Sequence, residues 1–442
     1  MPATSPTCGR CSGWKKPRPI SREPQRPISR EPQRPARAPL PPLALAVLAS
    51  CFGLNLLGRG IGDTYTVFLQ PIEQEFGWSR SQLTSVYSVY LLVNGFIAPM
   101  VGFFFDRAGP RWVYTAGLAV LGCAFVLAGS LQNIWHFYLL VGAMVGVGVS
   151  MTGMVPASAL LARWYRARLS IAIGIAFSGV GVGTVLLVPL AQYLVSGWDW
   201  RTAYHVLGGV LLAATLLVPL ALPWRRFSAG NPALAPAARK AGETEGGWTL
   251  RDALKTPIYR GLATVFFCTA MGMFAVVVQL VVFLIDSGFS PLAAATVFGM
   301  VGMLSALSVM SSGFVAERFG YRQTVTASFA GSMSGILLLV AIAASPSWLL
   351  LALFVPVFGL CMGVRGPIIS SVCTRQFAGP RVATIYGTIY STNALGAAVG
   401  SLVGGALHDL SGGYAAAYVF SLLCLAAAAV PFLRVPALRD FR

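Results

Sequence analysis

Three ionisable side chains stand inside long apolar stretches of this chain: Arg59, Asp63 and Arg365. A guanidinium held away from water presents a planar fork that matches the two oxygens of a carboxylate. A carboxyl group in the same setting is suited to take up and release a proton. Low dielectric favours its neutral form, while a neighbouring Arg opposes that. Asn55, Arg59 and Asp63 follow one another at intervals of four, so a helix places them on one face. Tyr87, Tyr90 and Asn94 form a second stripe at helical spacing, and Tyr386, Tyr390 and Asn393 a third. Polar stripes on otherwise apolar spanning helices have to face away from lipid. Each buried ion costs roughly 2.5–3.5 kcal/mol to insert and needs a partner. We expect the three stripes and Arg365 to line one cavity, with Arg365 holding a carboxylate and Asp63 as the candidate proton-coupling site, paired with Arg59 when ionised. Structural readings stand beside these. Arg59 and Asp63 would also serve as an ion pair locking their helix, Arg365 as a donor to carbonyls at a kink near Gly363, Gly366 and Pro367, and the Tyr and Asn stripes as interhelical glue.

The elements that must position these residues are membrane spans. Of the 442 residues, 56% are hydrophobic and 10% charged, against about 25% charged in globular domains. A bilayer requires about 20 mostly apolar residues per helix, and twelve such segments are present. They are long and continuous without period-two alternation, so helices rather than barrel strands are expected. We read a basic, Pro- and Arg-rich tail over 1–42, expected to be disordered. Six helices over 43–222, a central loop over 223–258, six more helices over 259–434 and a short tail over 435–442 follow. The net charge of +18 is no nucleic-acid signal, because its placement is one-sided. Of 32 Lys and Arg, 28 fall in the two tails, the central loop and the alternate short loops that share their side. This asymmetry places both termini and the central loop in the cytoplasm. Six of the eight cysteines lie in apolar segments; Cys8 and Cys11 form one Cys-x-x-Cys without a second pair. No metal and no cofactor are expected. Nor is an enzyme, since no nucleophile–base constellation or phosphate-binding loop is visible.

The chain is an internal duplication. Gly102, Asp106, Arg107, Gly109 and Arg111 recur as Gly313, Glu317, Arg318, Gly320 and Arg322, offset by 211 residues. Gly77-Trp78-Ser79 matches Gly288-Phe289-Ser290 at the same offset, and Trp200 to Tyr204 resembles Tyr414 to Tyr418. Duplicated membrane halves are typical of secondary transporters. Glycines in the repeated loop allow close approach or a turn, and its acids can cap a helix or pair with arginine across the two halves. We expect the ten loop residues to form a conformational latch that breaks when the cytoplasmic side opens; setting topology by charge is the plainer reading.

The repeated Gly-x-x-x-Asp-Arg-x-Gly-x-Arg pattern resembles the major facilitator superfamily, over the whole chain after residue 42. Asp63 to Leu69, Glu75 to Arg80, and Trp164 to Arg168 with Gly174 resemble bacterial members of its monocarboxylate and oxalate–formate porter group. The resemblance implies an all-α fold of two pseudo-symmetric six-helix bundles, with segments 1, 4, 7 and 10 lining a central cavity. Two departures stand out. Animal monocarboxylate carriers have a lysine where Asp63 falls, and an Asp and Arg in segment 8, whose body here carries no charge. Segment 4 lacks the buried arginine of proton-coupled drug exporters. The reading is a secondary transporter for a small organic anion, a monocarboxylate, across the bacterial inner membrane by alternating access. Expected partners are the solute and membrane lipid, with proton coupling left open and one chain sufficient for function. The competing reading is an exporter of a neutral or cationic compound on the same fold.

Overall fold

The computed structural model describes residues 42–78, 80–166, 168–232, 248–435 and 438. The tail expected to be disordered, with Cys8 and Cys11, lies outside the described residues, as do the middle of the central loop and most of the C-terminal tail. Twelve helical spans run in chain order: α1 (Pro42–Phe76), α2 (Arg80–Phe96 continued by Ala98–Ala108), α3 (Pro110–Ala128), α4 (Ile134–Trp164), α5 (Leu169–Gly197) and α6 (Trp200–Ala221). Then come α7 (Pro257–Asp286), α8 (Pro291–Phe319), α9 (Tyr321–Ala344), α10 (Trp348–Gln376), α11 (Val382–Ser411) and α12 (Ala415–Arg434). Ten are individually long and apolar enough to cross a membrane, and α2, bent by 43°, makes an eleventh. The other, α11, is long enough at 30 residues. Thr384, Tyr386, Thr388, Tyr390, Ser391, Thr392 and Asn393 lower its apolarity, and it packs against α2 and α7 rather than standing free in lipid.

Repetition in sequence becomes repetition in contacts. At one face, Glu75 ends α1 and accepts the Trp200 indole N–H at 2.7 Å and Arg201 at 2.6 Å. In the second half Asp286 ends α7 and accepts the Tyr414 hydroxyl at 2.6 Å. Each acid thus ties the first helix of its half to the sixth. At the other face, which carries the cationic loops, Gly109 and Gly320 join α2 to α3 and α8 to α9 with φ of 83° and 90°, a left-handed region that glycine enters without Cβ strain.

The halves meet toward this basic face. A Cβ on Gly102 would run into the Ala383 carbonyl at the start of α11, and one on Gly313 into the backbone of Ser170 and Ile171 at the start of α5. The two crossings are related by the duplication. Ser170 Oγ lies 2.6 Å from both the Tyr321 hydroxyl and Ser371 Oγ, and Ser370 donates to Ser158 at 2.6 Å, so hydroxyls stitch one half to the other. Further along the same helices the contacts continue to Gly181 against Ala306 and Gly95 against Ala394, while Gly302 on α8 and Gly405 on α11 have open space where a Cβ would stand. The central loop begins with a short helix, Trp224–Ala229, fixed beneath the first half by the Trp164 indole N–H to the Phe227 carbonyl at 2.9 Å. A second, Leu250–Lys255, precedes α7 and is capped by Thr249.

Candidate substrate cavity between the halves

A cavity of about 380 Å³ lies between the halves, walled by α4, α5, α7, α8, α10 and α11. Arg365 belongs to its wall. The helix of α10 breaks after Met362 and resumes at Arg365, about three turns above the basic end, and the side chain runs from the wall toward α9. Arg365 is 2% exposed. Its Nη2 donates to Ser332 Oγ at 3.0 Å, and its guanidinium lies 4.9 Å from the centre of the Phe329 ring. Among the described residues, Nε and Nη1 have no hydrogen-bond partner and no carboxylate pairs with the group. Among the described residues of the wall it is the one charged side chain.

A much smaller cleft of about 20 Å³ adjoins the cavity and shares Met154, Val180 and Tyr390 with it. Asn55, Arg59 and Asn94 line it. Here the charges are matched. Arg59 Nε is 3.4 Å from Asp63 Oδ1, Asp63 Oδ2 accepts the Thr184 hydroxyl at 2.7 Å, and the Arg59 guanidinium lies 5.5 Å from the centre of the Tyr90 ring. Asn55 is fully buried and donates to the Cys51 carbonyl at 2.8 Å, leaving its Oδ1 unpaired.

The residues picked out by spacing therefore divide into three groups. Arg365, Tyr386, Tyr390 and Asn393 line the large cavity; Asn55, Arg59 and Asn94 line the cleft beside it, with Tyr390 common to both. Tyr87 and Tyr90 reach neither wall. Tyr87 stacks on Tyr65 at 5.3 Å and meets the tilted ring of Tyr90 at 5.2 Å, so this pair packs behind Arg59 as an aromatic and electrostatic backing. The helical stripe on α2 is real, but its first two residues meet α1 rather than the axis between the halves. Sequence reading passed over the apolar wall: Phe177, Phe266, Met273 and Met362. No sequence signal distinguishes these from ordinary core residues, because a membrane helix is apolar on every side.

At the repeated loops Asp106 caps α11. Its carboxylate accepts the backbone N–H groups of Ala383 at 3.2 Å and Thr384 at 2.8 Å, and the Thr384 hydroxyl at 2.7 Å. Arg163 from the end of α4 lies close enough to act on it electrostatically. Its counterpart Glu317 sits instead in the field of Arg375 and Arg168. Arg107, Arg111, Arg318 and Arg322 are exposed; Arg111 and Arg318 lie over the adjacent Trp112 and Phe319 rings.

Twelve helices in two duplicated halves around one central cavity define a multi-pass membrane carrier. A family model described as Major Facilitator Superfamily matches residues 43–320 and 304–440, and the chain belongs to that family. It is a transporter and not an enzyme. Among similar curated proteins, monocarboxylate transporter 13 of Rattus norvegicus is 25% identical over 393 residues, covering 88% of each chain. Monocarboxylate transporter 11 of Homo sapiens is 26% identical, covering 85% of this chain and 79% of its own. Among solved structures, the proton:xylose symporter XylE matches with a TM-score of 0.74 at 13% identity, covering 89% of this chain and 95% of its own. The transporter FucP in the outward conformation matches with a TM-score of 0.66 at 14% identity, covering 88% and 98%.

Proposed function

We propose that the protein carries a small organic anion with a single carboxylate across the inner membrane by alternating access, binding it at Arg365. The observation that carries this reading is a cavity-lining Arg whose guanidinium, packed toward Ser332 and Phe329, has two nitrogens unpaired and no acid beside it among the described residues; in this reading the side chain turns into the cavity to meet the solute. A buried charge without a counterion is costly, and an anionic solute supplies the missing partner. Arg59 offers no such vacancy, because Asp63 already neutralises it. The cavity as a whole therefore favours a negative guest over a neutral or cationic one. The names of the similar monocarboxylate transporters agree with this class.

In this reading the basic face is cytoplasmic, and the structure, sealed there, is an outward-open state. Asp106 and the paired glycines act as the latch of that state, and one chain suffices as the working unit. Asp63 is the proton site: protonation removes the charge that holds Arg59 while Thr184 can keep its hydrogen bond, and α1 is then freer to shift. The test is counterflow in proteoliposomes loaded with unlabelled monocarboxylate, with radiolabelled monocarboxylate outside. Accumulation above the empty-vesicle control is expected, and its absence for every monocarboxylate tried rejects the reading. With a proton gradient imposed, Asp63→Asn should lose gradient-driven uptake by about tenfold or more while retaining counterflow. Undiminished gradient dependence in that variant removes Asp63 from the proton path.

A further inference from the structure

The cavity of about 380 Å³ leaves room beyond a two- or three-carbon acid, and the character of its wall narrows what can fill that room. The remainder of the wall is apolar and soft: Phe177, Phe266, Met273, Phe274 and Met362, with methionines able to reshape around a flat guest. Thr269, Tyr386, Tyr390 and Asn393 are the neutral polar side chains on the α7 and α11 sides. A second anionic group would find no cation, since Arg365 is the one charged side chain among the described wall residues and Arg59 is already paired.

We infer that the substrate is a monoanion bearing a large apolar or aromatic body, with its carboxylate on Arg365 and its ring among Phe177, Phe266, Met273 and Met362. This rests on the proposed carboxylate site and names the class of solute that fits it. Gly302 is the position that limits the body's size. It lines the cavity one helical level outward of Ser305 and Ala306, and has no atom within 4 Å of where its Cβ would stand. A side chain there occupies substrate space without touching the backbone of a neighbour. It also improves the helix, because glycine is a poor helix former.

The experiment compares pyruvate, phenylpyruvate and phenylsuccinate as competitors of counterflow by the full chain, in the wild-type protein and in Gly302→Leu. Burial of the phenyl group should make phenylpyruvate bind about 10- to 100-fold more tightly than pyruvate. The dianion phenylsuccinate should bind about tenfold or more weakly than phenylpyruvate, because its second carboxylate is buried unpaired. Gly302→Leu should weaken phenylpyruvate about tenfold or more, and by a clearly larger factor than it weakens pyruvate. Pyruvate binding as tightly as phenylpyruvate overturns the inference, as does equal weakening of both acids by Gly302→Leu. Neither result touches the carboxylate site. That site fails on a different outcome: no monoanion of any size competing, or Arg365→Gln binding all three as the wild type does.

Discussion

Replacement of Arg365 by Gln should lower the transport efficiency for a carboxylate solute about 100-fold or more, while the protein inserts normally and keeps its halves closed at the basic face. The size follows from burial. A charge pair that is fully desolvated costs about 2–5 kcal/mol when one partner is removed, and Arg365 is 2% exposed. Gln keeps the stem of the side chain as far as the Nε position while giving up the Ser332 hydrogen bond made by Nη2, so the variant removes mainly the charge. Lys keeps the charge but not the two-pronged fork; Arg365→Lys should therefore fall between, at about tenfold loss. Initial uptake rates over a range of solute concentrations measure both.

Stability in Arg365 variants separates a binding role from a structural one. If Arg365 held the break in α10 together by donating to its carbonyls, Arg365→Gln would destabilise the protein. The structure gives it one hydrogen bond, to Ser332, one aromatic face, Phe329, and two bare nitrogens. An unpaired buried charge weighs against folding. In the absence of solute, Arg365→Met should accordingly unfold at a higher temperature than the wild type, with transport abolished. Solute should raise the unfolding temperature of the wild type and leave that of the variant unmoved. Unfolding monitored with and without solute reads all of these, and a lower unfolding temperature for Arg365→Met would return Arg365 to the kink.

Most of the architecture is legible in the sequence because the bilayer imposes it. Apolar length gives the spans, one-sided Lys and Arg give a common face, and the duplication at Gly102 and Gly313 places equivalent crossings in both halves. The charged members of the site are legible for the same reason, since Arg59, Asp63 and Arg365 stand out against apolar neighbours. The grouping of those residues is another matter. Helical spacing says that Tyr87 and Tyr90 share a face with Asn94, but only tertiary packing decides that they back Arg59 while Asn94 reaches the cleft. Nor does spacing separate Asp106 from Glu317. The two acids occupy the same place in the repeat, yet one caps α11 through Thr384 and the other faces arginines. The difference lies in what the opposite half presents: Ala383 and Thr384 in one crossing, Ser170 and Ile171 in the other. The hydroxyl contacts between the halves, Ser170 with Tyr321 and Ser371, carry no sequence mark at all, because hydroxyls are ordinary in membrane helices.

Enlarging Gly102 should open the basic face. In the closed arrangement a Cβ at this position overlaps the Ala383 carbonyl, the carbonyl carbon and the Thr384 nitrogen. These are backbone atoms of α11, and no side-chain rotation relieves the overlap. The start of α11 must move away, and with it go the three hydrogen bonds that Asp106 receives from Ala383 and Thr384. Hydrogen bonds to a charged acceptor are worth about 1.5–3 kcal/mol each. Even partial loss therefore shifts the balance between the closed and open arrangements by about 3 kcal/mol or more, which is over 100-fold in population. Gly102→Val should then cut counterflow by at least about tenfold, by trapping the carrier open at the basic face. Amide hydrogen exchange in the segment containing Ala383 and Thr384 should rise by a similar factor or more. Gly313→Val should do the same through Ser170 and Ile171, with faster exchange at the start of α5. Gly405→Ala, where open space receives the new methyl group, is the control and should transport within about twofold of the wild type. Wild-type exchange in Gly102→Val together with wild-type transport would mean that the crossing of α2 and α11 yields freely, and Asp106 would then be a helix cap without a part in the cycle.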